Sequence, residues 1–312
     1  MELLRVEGLN KSFKKLHAVK GIDFSLQKGE ILGLLGPNGA GKSTTIAMIS
    51  TLIKADSGEI YYKNESILKK PKIIQKNLGY VPQEIALYPM LTGEENLLFW
   101  GRAYGLKGDT LKKSIEEVSE IIGINKRLKD KVKTYSGGMK RRLNIGIAFL
   151  HNPELIIMDE PTVGIDPQSR KHILDTVLYL NKNKGMTVIY TSHYMEEVEY
   201  LCNQICIMDQ GVIIAKGSKE ELIKSNKLKR EMTIKVNKDI EKVISRLSNI
   251  VAVEEVKEVD GMIKIIAKQE DDLFENIIKV IGDLKVTILS IDVKEANLET
   301  VFLELTGRDF RD

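Results

Sequence analysis

The chain has 312 residues, enough for two domains, and its 43% hydrophobic and 29% charged side chains are an ordinary globular composition. Its 47 basic and 44 acidic residues leave a formal charge of +3, too even a balance to point to nucleic acid or an anionic membrane surface. The opening "MELLRVEGLN" lacks the cationic start and apolar run of a secretion signal, and no later stretch reaches the roughly eighteen apolar residues of a membrane span, so a cytoplasmic location is expected.

In chain order, the first strong signal is the apolar run "EILGLL", read as a buried strand, followed by "GPNGAGKST" and the helical "TTIAMISTLI". The segment Gly36, Pro37, Asn38, Gly39, Ala40, Gly41, Lys42, Ser43 and Thr44 fits the phosphate-loop pattern G-x-x-x-x-G-K-[ST], with the strand before it and the helix after it that the motif requires. Glycines let backbone N–H groups converge on phosphate, Lys42 supplies a cation for the β- and γ-phosphates of ATP, and Ser43 offers a hydroxyl to Mg²⁺. From Tyr88 the strand signal gives way to helical spacing in "ENLLFWGRAYGL" and "DTLKKSIEEVSEIIG", which predicts a helical insertion over about residues 88–140. At its end "TYSGGMKRR" places Ser136, Gly137 and Gly138 before Lys140, Arg141 and Arg142. Alone, that stretch reads as an anion site at a helix N-terminus or as a glycine-rich turn before a surface helix with solvated cations.

"LIIMDEP" is a buried strand ending in two carboxylates. Asp159 is suited to hold Mg²⁺ and Glu160 to orient or deprotonate an attacking water; a solvated pair at a strand end is the plain alternative. "MTVIYTSH" is a further buried strand, and the alternation of such runs with amphipathic segments predicts an α/β core. Cys202 and Cys206 lie four apart, a spacing that could pair metal ligands on a helix, but no second Cys or His pair accompanies them and reduced structural thiols are expected.

Near "KGSKEELIKSNKLKRE" the composition turns to Lys, Glu, Ser and Asn, which predicts a linker at about residue 225 and domains over 1–224 and 225–312. Beyond it come strand-like "EMTIKVN", a helix over "IEKVISRLSNI", a hairpin turning at Asp260 and Gly261, a helix over "DDLFENIIKVIGDL" and strand-like "KVTILSIDV". That order is βαββαβ, a small α+β domain. A final helix is expected from an Asn297 cap to Gly307, with Leu298, Val301, Phe302 and Leu305 on one face.

The succession of the phosphate loop, "VPQ" with Gln83, "YSGGM", "MDEP", "VGID" with Asp166 and "TSH" with His193 resembles the ATP-binding cassette family over roughly residues 1–220. The resemblance implies a P-loop nucleotide-binding cassette that hydrolyses ATP with Mg²⁺. It implies that Gln83 senses Mg²⁺ and water, that His193 touches the γ-phosphate, that Phe13 of "KSFKK" stacks on adenine, and that Ser136, Gly137, Gly138 and Asp166 serve the nucleotide as well. Duller readings are a loop amide for Gln83, a satisfied loop histidine for His193 and a core position for Phe13. Two signature positions depart from the family pattern: Tyr135 stands for the usual Leu and Met139 for the usual Gln, whose amide contacts Met cannot supply. Val163 likewise precedes the otherwise intact "GID".

In that family the signature faces the phosphate loop of a second nucleotide-binding unit, so one loop and one signature per chain imply a homodimer or pairing with a similar chain. The ending "NLETVFLELTGRDFRD" and the extra C-terminal domain are similar to ATP-binding subunits of bacterial exporters for drugs, antibiotics, sodium or cell-surface polymers. Such a subunit would work at the inner face of the cell membrane on a separate integral-membrane permease, contacted through the insertion around Glu94 to Tyr104 with Phe99 and Trp100 as candidates, and without nucleic acid. The alternatives are an importer subunit, a soluble cassette ATPase acting on ribosomes or DNA, and ligand sensing by the C-terminal domain. Soluble cassette ATPases usually carry two cassettes or a long coiled-coil insertion, neither of which is evident here.

Overall fold

The computed structural model describes residues 1–14, 16–225, 230–267, 273–294 and 297–306, which fall into two compact units divided between Ser218 and Lys219. The first unit opens with β1 (Glu2–Phe13), β2 (Leu16–Gln27), β3 (Ile31–Leu35), α1 (Lys42–Ile49), β4 (Ser57–Tyr62), β5 (Glu65–Ser66), α2 (Lys72–Gln75) and β6 (Leu78–Val81). It continues with α3 (Gly93–Ala103), α4 (Gly108–Ile121), α5 (Gly137–Phe149), β7 (Leu155–Asp159), α6 (Pro167–Lys184), β8 (Thr187–Ser192), α7 (Met195–Leu201), β9 (Gln204–Asp209) and β10 (Val212–Gly217).

A six-stranded sheet of order β10-β9-β3-β8-β7-β6 is parallel except for β10, and an antiparallel sheet of order β2-β1-β4-β5 accompanies it. All five residues of β7 are buried: Leu155 and Ile157 belong to the core shared with α1 and the antiparallel sheet, Ile156 and Met158 to the core shared with α4 and α5. Burial on both faces is why this run is uniformly apolar instead of alternating. The antiparallel sheet lies outside the sequence expectation, because register shifts between Val6 and Leu9 and between Lys11 and Ser12 break the period of two that would mark β1 as a strand.

The expected helical insertion is formed by α3, α4 and the start of α5. Thr92 and Glu95 make a reciprocal capping box at the start of α3. The buried Asn96 then ties α3 to the preceding loop, donating to Tyr88 O at 3.1 Å and accepting from its N–H at 2.9 Å. Leu111, Ile115 and Val118 of α4 join Leu143 and Ile147 of α5 in one core, and α5 packs on β6 where Gly79 meets the Ala148 carbonyl with no space for a Cβ.

The second unit comprises α8 (Lys219–Ser225), β11 (Arg230–Val236), α9 (Ile240–Leu247), β12 (Val253–Val259), β13 (Met262–Ala267), α10 (Leu273–Asp283), β14 (Ile288–Lys294) and α11 (Leu298–Thr306). Its sheet has the order β12-β13-β11-β14 with every neighbour antiparallel, and β12 and β13 are joined by Asp260 (φ 51°) and Gly261 (φ 72°), the two left-handed residues of a type I′ hairpin. Ile234, Ile263, Ile265, Val243, Leu247 and Ile277 form a core of this unit alone. Asn297 Oδ1 caps α11 by accepting from Thr300 N–H at 2.9 Å; Leu298, Val301 and Phe302 are buried and Leu305 is half-buried, while the expected stop at Gly307 lies outside the described residues. Part of the stretch expected as a linker is instead helical. α8 has Glu220 and Glu221 in its first turn and Lys224 in its last, an arrangement matched to the helix dipole, and it packs on α11; residues 226–229 lie outside the described residues.

Gly79→Ala drives a Cβ into a backbone carbonyl that no rotamer change can move. We expect a loss of about 1–3 kcal/mol in denaturant unfolding, because β6 must part from α5. A stability equal to the parent's would show that this approach is loose.

Candidate active site

Because β3, β6, β7 and β8 run parallel, the segments leaving their C-terminal ends gather on one edge of the sheet: the phosphate loop, Pro82–Gln83, Glu160 and His193. In the loop, Gly41 (φ 104°) precedes α1 and comes so close to the Ala18 carbonyl of β2 that a side chain has no room. Pro37, Asn38 and Gly39 lie toward the surface, Ala40 is buried, and Ser43 and Thr44 open the first turn of α1. Lys42 is only 5% exposed, and its Nζ donates to Gly36 O at 2.7 Å and Pro37 O at 3.1 Å while standing 3.8 Å from Glu160 Oε1. Burial holds the Lys42 ammonium below its ordinary pKa, opposed by the charges of Glu160 and Asp159.

Asp159 and Glu160 are not a solvated pair, being 5% and 8% exposed. Asp159 Oδ1 accepts from Thr191 Oγ1 at 2.9 Å and from Ser43 Oγ at 3.4 Å; burial raises its carboxyl above the usual range, and the Thr191 hydrogen bond opposes that rise. Glu160 Oε2 accepts from Gln83 Nε2 at 3.3 Å and lies 3.5 Å from His193 Nδ1. Its backbone is left-handed (φ 46°), and its N–H donates to Thr191 Oγ1 at 2.8 Å. Lys42, Ser43, Gln83, Asp159, Glu160 and His193 therefore form one connected group.

The other predicted site residues stand apart from it. Ser136 caps α5, its Oγ accepting from Met139 N–H at 3.2 Å, and Ser136 and Gly137 are exposed. Gly138 is packed against Ser169, leaving no space for a Cβ. The exposed Asp166 caps α6 by accepting from Ser169 N–H at 2.9 Å, and hydrogen bonds to that residue hold its carboxyl below the usual range. Among the described residues no hydrogen bond or ion pair joins Ser136, Gly137, Gly138 or Asp166 to the phosphate loop. Phe13 is no core residue: it is 45% exposed at the end of β1, with the Lys11 ammonium 5.5 Å from its ring centre.

Two side chains escaped the sequence reading. Thr191, inside "YTSH", links the Asp159 carboxylate to the Glu160 backbone N–H from the strand beside β7. Arg141, readable as a solvated cation, is 4% exposed and forks to Pro82 O at 2.8 Å and Gln83 O at 2.6 Å, tying α5 to the Gln83 loop. Its neighbour Arg142 donates to Ile122 O and Gly123 O at the end of α4. The unusual Tyr135 and Met139 both face inward: the Tyr135 hydroxyl donates to Arg127 O at 2.6 Å, and Met139 packs half-buried on the core. Cys202 follows α7 and Cys206 lies on β9, so they do not share a helix; burial raises both thiols, Cys206 to about 12.

The ABC transporter family model matches residues 19–163. The chain is 50% identical over 315 residues to the linearmycin resistance ATP-binding protein of Bacillus subtilis (strain 168), covering 99% of this chain and 100% of that one. It is 34% identical over 310 residues to the Nod factor export ATP-binding protein I of Ralstonia nicotianae, covering 99% and 95%. A dimeric ATP-binding cassette solved in a post-hydrolysis state with ADP and phosphate superposes with a TM-score of 0.64 at 24% identity, covering 69% of this chain and 98% of that one, and supports the fold. With half its residues shared over nearly its whole length with such an ATP-binding protein, the chain belongs to the ABC transporter family and is an ATPase, the ATP-binding subunit of a transporter.

Proposed function

We propose that the chain powers an exporter as one of two ATPase units that close head to tail over ATP. The observation that carries this reading is the division of the predicted site: Glu160 faces Lys42, Gln83 and His193 at the strand ends, while Ser136, Gly137 and Asp166 are presented on the surface. The dimeric relative and the resistance and export roles in the relatives' names support pairing and outward transport. A homodimer fits one loop and one signature per chain; pairing with a similar chain is the other arrangement.

In this reading the loop N–H groups and Lys42 hold the β- and γ-phosphates, and Phe13 lies against adenine. Glu160 accepts the proton of the attacking water or orients it, Gln83 aligns that water, and His193 steadies the γ-phosphate. Ser136, Gly137 and Gly138 of the partner copy close the other side, with Asp166 beside them. Ser43, Asp159 and Gln83 provide hydroxyl, carboxylate and amide oxygens, a hard-donor set that fits Mg²⁺. When bound, Mg²⁺ would neutralise charge developing on the phosphate oxygens.

Among the described residues no helix is long and apolar enough to cross a membrane; in this reading the transport path is supplied by a separate integral-membrane permease. Ile85, Tyr88, Met90 and Phe99 are exposed beside the Gln83 loop, with Tyr88 and Phe99 edge to face at 4.9 Å, and are assigned to that contact at the inner membrane face. Trp100 packs on the core and is not. The second unit, from Lys219, is proposed to be a separate domain.

Glu160→Gln should lower turnover by about 10²–10⁴-fold while ATP still binds, and light scattering should then show a dimer with retained ATP. Retention of ATP strictly by monomers would count against the paired arrangement. Lys42→Ala and Ser136→Arg homodimers should each be inactive, and mixing them should restore activity because one composite site remains intact; no recovery on mixing would argue against action in trans. Phe99→Glu should abolish binding to the permease and leave the isolated chain's ATPase within about twofold, since the ring lies outside the reacting groups. Undiminished permease binding would move the contact elsewhere.

A further inference from the structure

Glu197 of α7 is a carboxylate that the reading above does not use. It is 2% exposed, and removing an ion from water is unfavourable unless its lone pairs are met. Here those of Oε2 are met by convergence, while Oε1 has no hydrogen bond among the described residues and is faced by a guanidinium. Glu197 Oε2 accepts from Thr162 Oγ1 at 2.8 Å, Tyr190 hydroxyl at 2.9 Å and Ser192 Oγ at 2.8 Å, and Arg170 Nε stands 3.5 Å from Oε1. Thr162, Tyr190 and Ser192 are all buried, so no water competes for the carboxylate.

The chain positions of these partners matter more than their number. Thr162 follows Glu160 by two residues, Ser192 immediately precedes His193, and Arg170 lies in α6, which Asp166 caps. Ser192 Oγ also accepts from Tyr194 N–H at 2.9 Å, so the backbone is tied on both sides of His193. Glu160 occupies a left-handed conformation that a residue with a side chain keeps only when its surroundings impose it. Thr191 holds the Glu160 N–H from one side, and the Thr162–Glu197 hydrogen bond holds the chain just beyond it.

We propose that Glu197 is a positioning residue for ATP hydrolysis: through Thr162 and Ser192 its buried carboxylate fixes where Glu160 and His193 stand relative to each other. The inference rests on the roles assigned above to those two residues. Glu197 itself touches neither nucleotide nor water; misplacement of a reacting group by about 1 Å suffices for a loss of order 10²-fold.

The test uses the full-length chain with Mg²⁺ and ATP, measuring kcat and KM, binding of a fluorescent ATP analogue, and thermal melting. Glu197→Gln, Thr162→Val and Ser192→Ala should each lower kcat by roughly 10–100-fold while KM and analogue affinity stay within about threefold. The double variant Thr162→Val/Glu197→Gln should fall no further than its worse single, since both act through one hydrogen bond. Melting that drops while kcat stays within about twofold of the parent overturns the inference, as do losses that multiply in the double. If Glu197→Gln does not fold, Thr162→Val and Ser192→Ala decide the matter by the same criteria. Glu160→Gln in the same assay separates the two levels. A dead Glu160→Gln beside fully active Glu197, Thr162 and Ser192 variants removes the positioning role alone, whereas a fully active Glu160→Gln removes the assignment of Glu160 and this inference with it.

Discussion

Lys42 and Glu160 face each other across 3.8 Å with almost no access to water, and the rest of the first unit is arranged so that they can. A buried ammonium and a buried carboxylate are each unfavourable alone, and 3.8 Å is too long for a full hydrogen bond to settle the account between them. Lys42 instead spends its donors on the Gly36 and Pro37 carbonyls, and Glu160 draws on Gln83 and His193. Such a cation is held in place without being neutralised, a suitable state for a group whose proposed partner is a phosphate that comes and goes. Only a parallel sheet buried on both faces delivers the ends of β3, β6, β7 and β8 to one place, so the apolar runs and the polar edge are parts of one construction.

The helical insertion is tied to that edge by a charge that has no counter-ion among the described residues. The Arg141 guanidinium is buried, its pKa lowered by that burial, and its hydrogen bonds go to two backbone carbonyls of the Gln83 loop. Carbonyls have fixed directions, and a planar fork matches two of them better than a flexible ammonium would. α5 is thereby joined to the segment carrying Gln83, whose amide reaches Glu160. The exposed apolar residues from Ile85 to Phe99 adjoin the same loop, so the surface assigned to the permease and the group assigned to water activation are separated by one short segment.

The departures from the family signature have a packing explanation. Tyr135 fills space beside Gly93 and satisfies its hydroxyl on Arg127 O, and Met139 turns a flexible apolar side chain onto the core. The loop from Ser136 to Gly138 is left in the cap geometry that presents N–H groups outward.

Much of this was legible in the residue order. The phosphate loop between a strand and a helix, the carboxylates closing an apolar run, and the βαββαβ succession are local patterns, set by backbone sterics and by periodicities of two and 3.6. The I′ turn at Asp260 and Gly261 and the Asn297 cap are local in the same sense, each decided within four residues. The N-terminal antiparallel sheet was not legible, because its bulges erase the alternation and its pairing of β1 with β4 depends on residues some fifty positions apart. Nor could the residue order reveal that Thr191 links the Asp159 carboxylate to the Glu160 N–H, that Arg141 is buried, or that Glu197 gathers three hydroxyls, since a cation or carboxylate on a helix reads the same whether solvated or enclosed. Local chemistry named the groups; tertiary packing decided which of them lose water and meet, because dielectric and distance belong to the folded surroundings and not to the residue.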